Sequence, residues 1–203
     1  MGEFCNRTIN EFLDALSSAS PTPGGGSVAA LSAAVAASLG AMVCALASKK
    51  IDDPRLRTLA ASFVELREGF TQLAREDEQA FDAVMAAYRV PREDPSRADA
   101  IQSALRGAAA VPLKTAQSGV QLLTDLLAVV PLGTRQSISD AGVAALLGRS
   151  AVEAAILNVR VNLAYLTDDA VTAPLRQESD ALELEAVRLA ERILAGVNTR
   201  LSS

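Results

Sequence analysis

From Pro54 onward the chain places apolar residues at steps of three and four: Leu56, Leu59, Phe63, Leu66, Phe70, Leu73, then Ala80 or Phe81, Val84 and Tyr88. That spacing predicts one long helix with a single face toward a core. The step from Leu73 to Ala80 passes over one stripe position, and the residue there is Asp77. A carboxylate on an inward stripe must find partners or raise its pKa and stay neutral, because burying it unpaired is costly. Asp77 is therefore either a site residue or a member of a structural hydrogen-bond network.

The same reading continues along the rest of the chain. Thr8-Ile9-Asn10-Glu11 fits a capping box and predicts a helix from Ile9 to Ala19. Val28 to about Ser48 is helical with small residues on every side, which predicts burial all round. A third pattern runs from Ala98 or Asp99 toward Val130, and Pro112 within it predicts a break or kink. A fourth runs from Asp140 to about Leu166, with Ser137 or Ser139 as its cap; it sets Asp140, Asn158 and Asn162 on one broad, otherwise apolar face. A charge-rich amphipathic helix from about Pro174 to Arg200 closes the chain on the surface. Pro91 and Pro95 lie in a polar stretch that reads as a loop.

Between the first two helices lies Ser20-Pro21-Thr22-Pro23-Gly24-Gly25-Gly26-Ser27. Prolines fix the backbone, glycines permit close approach, and Ser27 is placed to cap the next helix. Such a turn is either an anion site at a helix N-terminus or a plain crossover. Lys49 and Lys50, at the other end of that helix, suit its dipole and are two of only three lysines in the chain, Lys114 being the third. Asp140 likewise suits a first helical turn as a capping acid.

Composition narrows the class. The 203 residues are within one domain's range and are 50% hydrophobic but only 3% aromatic, so the apolar content is mainly Ala, Leu and Val, as in closely packed helices. A net charge of −5 argues against a nucleic-acid partner. Cys5 and Cys44 make no disulfide framework, and with no histidine a zinc site is not expected. The start of the chain does not resemble a signal peptide, which predicts a cytoplasmic protein. Val28 to Ala47 holds 20 uncharged residues, long enough for a membrane span, but its Ala, Ser and Gly content favours a helix buried in protein.

Taken together, SPTPGGGSVAA (Ser20 to Ala30), DEQAF (Asp77 to Phe81), Ile101-Gln102 with Val111-Pro112-Leu113, SDAGVAAL (Ser139 to Leu146) and LNVRVNL (Leu157 to Leu163) resemble, in order, the cyclodeaminase/cyclohydrolase family of folate one-carbon enzymes. The resemblance implies an all-α fold over residues 1–203, a single-domain bundle of long antiparallel helices with a central small-residue helix, dimeric. It also implies a tetrahydrofolate substrate, Asp77 as the catalytic carboxylate, and a pocket of Pro23, Gly24, Gly25, Gly26, Ser27, Asp140 and Asn158. Lys49, Lys50, Lys114 and Arg160 are then the candidates to meet the substrate's glutamyl tail. No metal or further cofactor is expected. The activity implied is hydrolysis of 5,10-methenyltetrahydrofolate to 10-formyltetrahydrofolate, with 5-formiminotetrahydrofolate cyclodeamination as the alternative. A third reading, ligand binding without turnover, is motivated by Ser48 to Asp52 and Thr134 to Gln136, where family members usually carry more lysine and asparagine.

Overall fold

A computed structural model describes residues 7–202, and Cys5 lies outside the described residues. Among the described residues there are six helices and no strand: α1 (Ile9–Leu16), α2 (Gly25–Ser48), α3 (Pro54–Arg89), α4 (Arg97–Val129), α5 (Ile138–Leu163) and α6 (Asp169–Ser202). The long helices are joined by short loops and each packs on its sequence neighbour, which gives an antiparallel bundle in a single domain. α2 lies against α3 and α5; α4 touches every one of the other four long helices.

Local sequence explains most of the boundaries. Thr8 and Glu11 form the expected capping box, with Thr8 N–H donating to Glu11 Oε2 at 2.7 Å and Glu11 N–H to Thr8 Oγ1 at 3.2 Å, although α1 stops at Leu16 rather than Ala19. Asp53 caps α3 by accepting from Arg55 N–H, and Pro54 fills the first turn where a missing N–H costs nothing. Ser137 stands at the N-cap of α5, but its hydroxyl is turned back to Thr134 Oγ1 at 2.9 Å, so neither it nor the exposed Ser139 provides the expected side-chain cap.

Of the break or kink expected at Pro112, the break does not occur. α4 runs through it unbroken from Arg97 to Val129. The proline has no N–H to give to the carbonyl four residues back, that of Ala108, and Asn162 Nδ2 of α5 donates to that carbonyl instead at 3.0 Å. A side chain from the neighbouring helix thus makes the bond that the proline cannot.

The core is drawn from α2 to α6, with Phe63, Phe70, Leu122, Leu126, Ile138, Ile156 and Ile193 among its fully buried side chains. Ser62 and Gln121 both donate to the nearly buried Asp125, at 2.6 Å and 2.8 Å, bracing α3 on α4. Against these large residues α2 buries a face of Gly, Ala and Ser, but burial all round does not hold: Val35 is 47% exposed and Met42 is exposed too. α5 shows the same asymmetry at Val143, Leu146, Leu157 and Val161. α2 and α5 are each long and apolar enough to cross a membrane by length and composition, and half of each is buried inside the bundle.

Small residues on α2 set how closely α3 approaches. A Cβ on Gly40 would stand 2.8 Å from Cε1 and 2.9 Å from Cδ1 of Phe63, whose ring is fully buried. Gly40→Ala is expected to destabilise the protein by about 1–3 kcal/mol in urea unfolding through overpacking, despite the better helix propensity of alanine; unchanged stability would show that the ring has room to move.

Candidate active site

The expected capping role of Ser27 is not what the structure shows. Helix α2 begins at Gly25 with Gly24 as its N-cap, and a glycine has no side chain to satisfy the first backbone N–H groups. Ser27, in the first turn and fully buried, donates its hydroxyl to Asp77 Oδ2 at 2.9 Å. Asp77 comes from the middle of α3, and its carboxylate also faces the backbone N–H of Ser27. The charged group at the α2 N-terminus is therefore the protein's own carboxylate, which does the work of a cap from another helix. This changes the reading of the glycine turn as an external anion site: that place is filled.

Gly26 makes the approach possible. A Cβ there would lie 2.6 Å from Asp77 Cγ, so only hydrogen leaves room for the carboxylate. Burial raises the Asp77 pKa above the ordinary 3.8, while the hydroxyl and backbone hydrogen bonds of Ser27 pull it back down. Glu78, the next residue, is also raised by burial, with the charge of Arg7 opposing the shift.

Beside this carboxylate opens a cavity of about 440 Å³, within the range of sites that enclose a small organic ligand. Pro21, Thr22 and Gly24 to Gly26 form one end with Asp77. α3 supplies Phe81, Met85 and Tyr88, α4 supplies Leu105 and Ala108, α5 supplies Asn158 and Asn162, and the turn just after α5 supplies Tyr165. From Asp77 to Tyr88 the α3 wall is about 16 Å long at the helical rise. Asp77 is the single charged residue of the described lining. Aromatic walls and one carboxylate suit a flat ring that is neutral or positive, not a phosphate.

Of the residues singled out from sequence, Asp77, Gly24, Gly25, Gly26 and Asn158 meet at this cavity, while Ser27 and Pro23 are buried behind it. The others do not come to it in this chain. Lys49 and Lys50 lie at the far end of α2, about 36 Å away at the helical rise, and Lys50 Nζ donates to Gln136. Asp140 is in the first turn of α5, about 27 Å along that helix from Asn158. Lys114 is exposed on α4 beyond the lining residues. Arg160 turns to α6, pairing with Asp180 at 2.9 Å and Glu183 at 2.6 Å. The lining residues that sequence reading did not assign to the site are Phe81, Tyr88, Tyr165 and Asn162; Phe81 and Tyr88 are there stripe positions, and Asn162 a polar residue on an apolar face. One signal was available: the chain has only two tyrosines, and both line the cavity.

With that geometry established, comparison with known proteins is informative. The family model for formiminotransferase-cyclodeaminase matches residues 8–181. A methenyltetrahydrofolate cyclohydrolase of Methylorubrum extorquens is 38% identical over 97% of this chain and 99% of its own length. The formimidoyltransferase-cyclodeaminases of Sus scrofa and Rattus norvegicus are 34% and 33% identical over 96% and 95% of this chain, which spans 38% and 37% of those longer proteins. The crystal structure of a formiminotetrahydrofolate cyclodeaminase from Thermotoga maritima superposes with a TM-score of 0.88 at 26% identity, over 96% of this chain and 97% of that one. A superposition and a family match that each extend along most of the chain lead to one conclusion: this protein belongs to the formiminotransferase-cyclodeaminase family.

Proposed function

We propose that this protein is a folate one-carbon enzyme that hydrolyses 5,10-methenyltetrahydrofolate to 10-formyltetrahydrofolate, with Asp77 as its catalytic group. The observation that carries the reading is a half-buried carboxylate, the one charge of an aromatic-walled cavity, in a chain whose full-length relative is named a methenyltetrahydrofolate cyclohydrolase. The methenyl carbon bridging N5 and N10 shares a positive charge, which the Asp77 carboxylate stabilises. Water adds its oxygen to that carbon while Asp77 takes a proton as general base. The C–N5 bond then breaks, N5 receives a proton from Asp77, and the formyl group stays on N10; the second water proton leaves to solvent. Pterin stacking falls to Phe81, Tyr88 and Tyr165. These steps use no metal and no cofactor besides the folate.

The cyclodeaminase relatives favour a second reaction at the same place. There N10 attacks the formimino carbon on N5 and ammonia departs, with Asp77 moving the protons. We further propose a cytoplasmic homodimer without membrane or nucleic-acid partners. The exposed apolar residues Val35 and Met42 of α2 and Val143 and Leu146 of the adjacent α5 support self-association, because faces of that kind mark interfaces. Sedimentation should give twice the chain mass, and Val35→Asp with Leu146→Asp should shift it to a monomer; a monomeric wild-type protein rejects the dimer.

Purified protein should speed loss of the methenyl chromophore well above its spontaneous hydrolysis, and Asp77→Asn should cost at least about 100-fold in kcat. Ammonia release from the 5-formimino substrate without methenyl turnover decides for the cyclodeaminase, and binding without either rate decides for a non-catalytic member.

The pH profile follows from the direction of the Asp77 shift. A general base acts ionised, so activity falls as pH drops through a pKa that burial has raised above 3.8. Ser27→Ala removes a hydrogen bond that lowers this pKa. The acidic limb of kcat/KM should therefore move to higher pH in that variant, and an unmoved limb would separate it from Asp77.

A further inference from the structure

The bond that keeps α4 whole at Pro112 also fixes what one wall of the cavity offers a ligand. Asn162 Nδ2 donates to Ala108 O at 3.0 Å and to Asn158 O at 2.9 Å. Both partners are backbone carbonyls, which only accept, so the amide nitrogen must face them and the orientation of the group is forced. An amide has two N–H hydrogens, and both are committed. What Asn162 keeps for the cavity it lines is its Oδ1, which makes no hydrogen bond among the described residues. Asn158 has its own nitrogen engaged by Ala154 O at 2.9 Å, and the lining has the Asp77 carboxylate but no lysine or arginine. The polar groups of this cavity are thus weighted toward acceptors.

We propose that Asn162 is a specificity-determining residue whose amide oxygen accepts an N–H from the ligand, and that the proline in α4 is what holds it to that role. With Asn162 Nδ2 free, the amide could rotate and offer a donor instead. With it tied to the carbonyl left open by Pro112, the site rejects a ligand that presents a lone pair or a methyl group at that place, because the oxygen would be left unpaired. The inference rests on the folate reading for its ligand class: the amino group and ring N–H of a pterin form such a donor edge.

The test uses the purified full chain and two probes, 5-formyltetrahydrofolate and its analogue with the 2-amino group replaced by methyl, titrated by calorimetry. Wild-type protein should prefer the amino compound by about tenfold or more. Asn162→Ala alone also strands the Ala108 carbonyl, so loss of binding there could be a folding effect. Pro112→Ala restores a backbone N–H for that carbonyl, and the pair Pro112→Ala with Asn162→Ala should keep the Tm of Pro112→Ala while its preference falls toward one. Undiminished preference in the double variant overturns the role of Asn162 and leaves the folate reading intact. Failure of wild-type protein to bind either pterin overturns the folate reading, and the inference with it.

Discussion

The site depends on one contact, the Asp77 carboxylate set against the first turn of α2. Its cost and its compensation come from the same few residues. Removing a carboxylate from water disfavours its charge, and burial accordingly raises the Asp77 pKa. The Ser27 hydroxyl and the free N–H groups of a helix that lacks a capping side chain favour that charge. Gly26 has to be glycine for the two to meet. What reads as a flexible turn is thus a shaped seat for a charged group from another helix.

A second dependence joins α4 to α5. Proline inside a long helix leaves an orphan carbonyl, and here a neighbouring asparagine satisfies it. The polar residues toward the end of α5 are accounted for one by one: Asn162 to α4, Asn158 to its own helix and the glycine turn, and Arg160, on another side of the helix, outward to α6. Only the first two reach the cavity. Charge and polarity alone make Asn158 and Arg160 equal candidates; position on the helix separates them.

Periodicity was enough to find the long helices and to mark Asp77, because a charge on an apolar stripe is visible by counting. The partner of that charge was not visible. Ser27 sits where a cap belongs, and nothing in a linear pattern says that its hydroxyl turns to a residue fifty positions away. The basic candidates lie away from this chain's cavity for a related reason: Lys49, Lys50 and Arg160 were chosen by charge, and charge does not reveal which end or side of a rod-like helix faces the cavity. Tyr88 looked like one more core position because it continues the stripe, although its ring is partly exposed where the bundle opens. The break does not occur at Pro112 because its repair comes from another helix.

The glycine N-cap of α2 has a kinetic meaning as well. A helix capped by a serine or aspartate of its own would be indifferent to events in the cavity. This one leans on a carboxylate that, in the proposed reaction, takes up a proton and gives it back within each turnover. While the proton stays, the first turn of α2 lacks its counter-charge, and the helix end works against retention. The scaffold therefore acts like a weak spring on the proton, loaded when water is deprotonated and relaxed when N5 receives it.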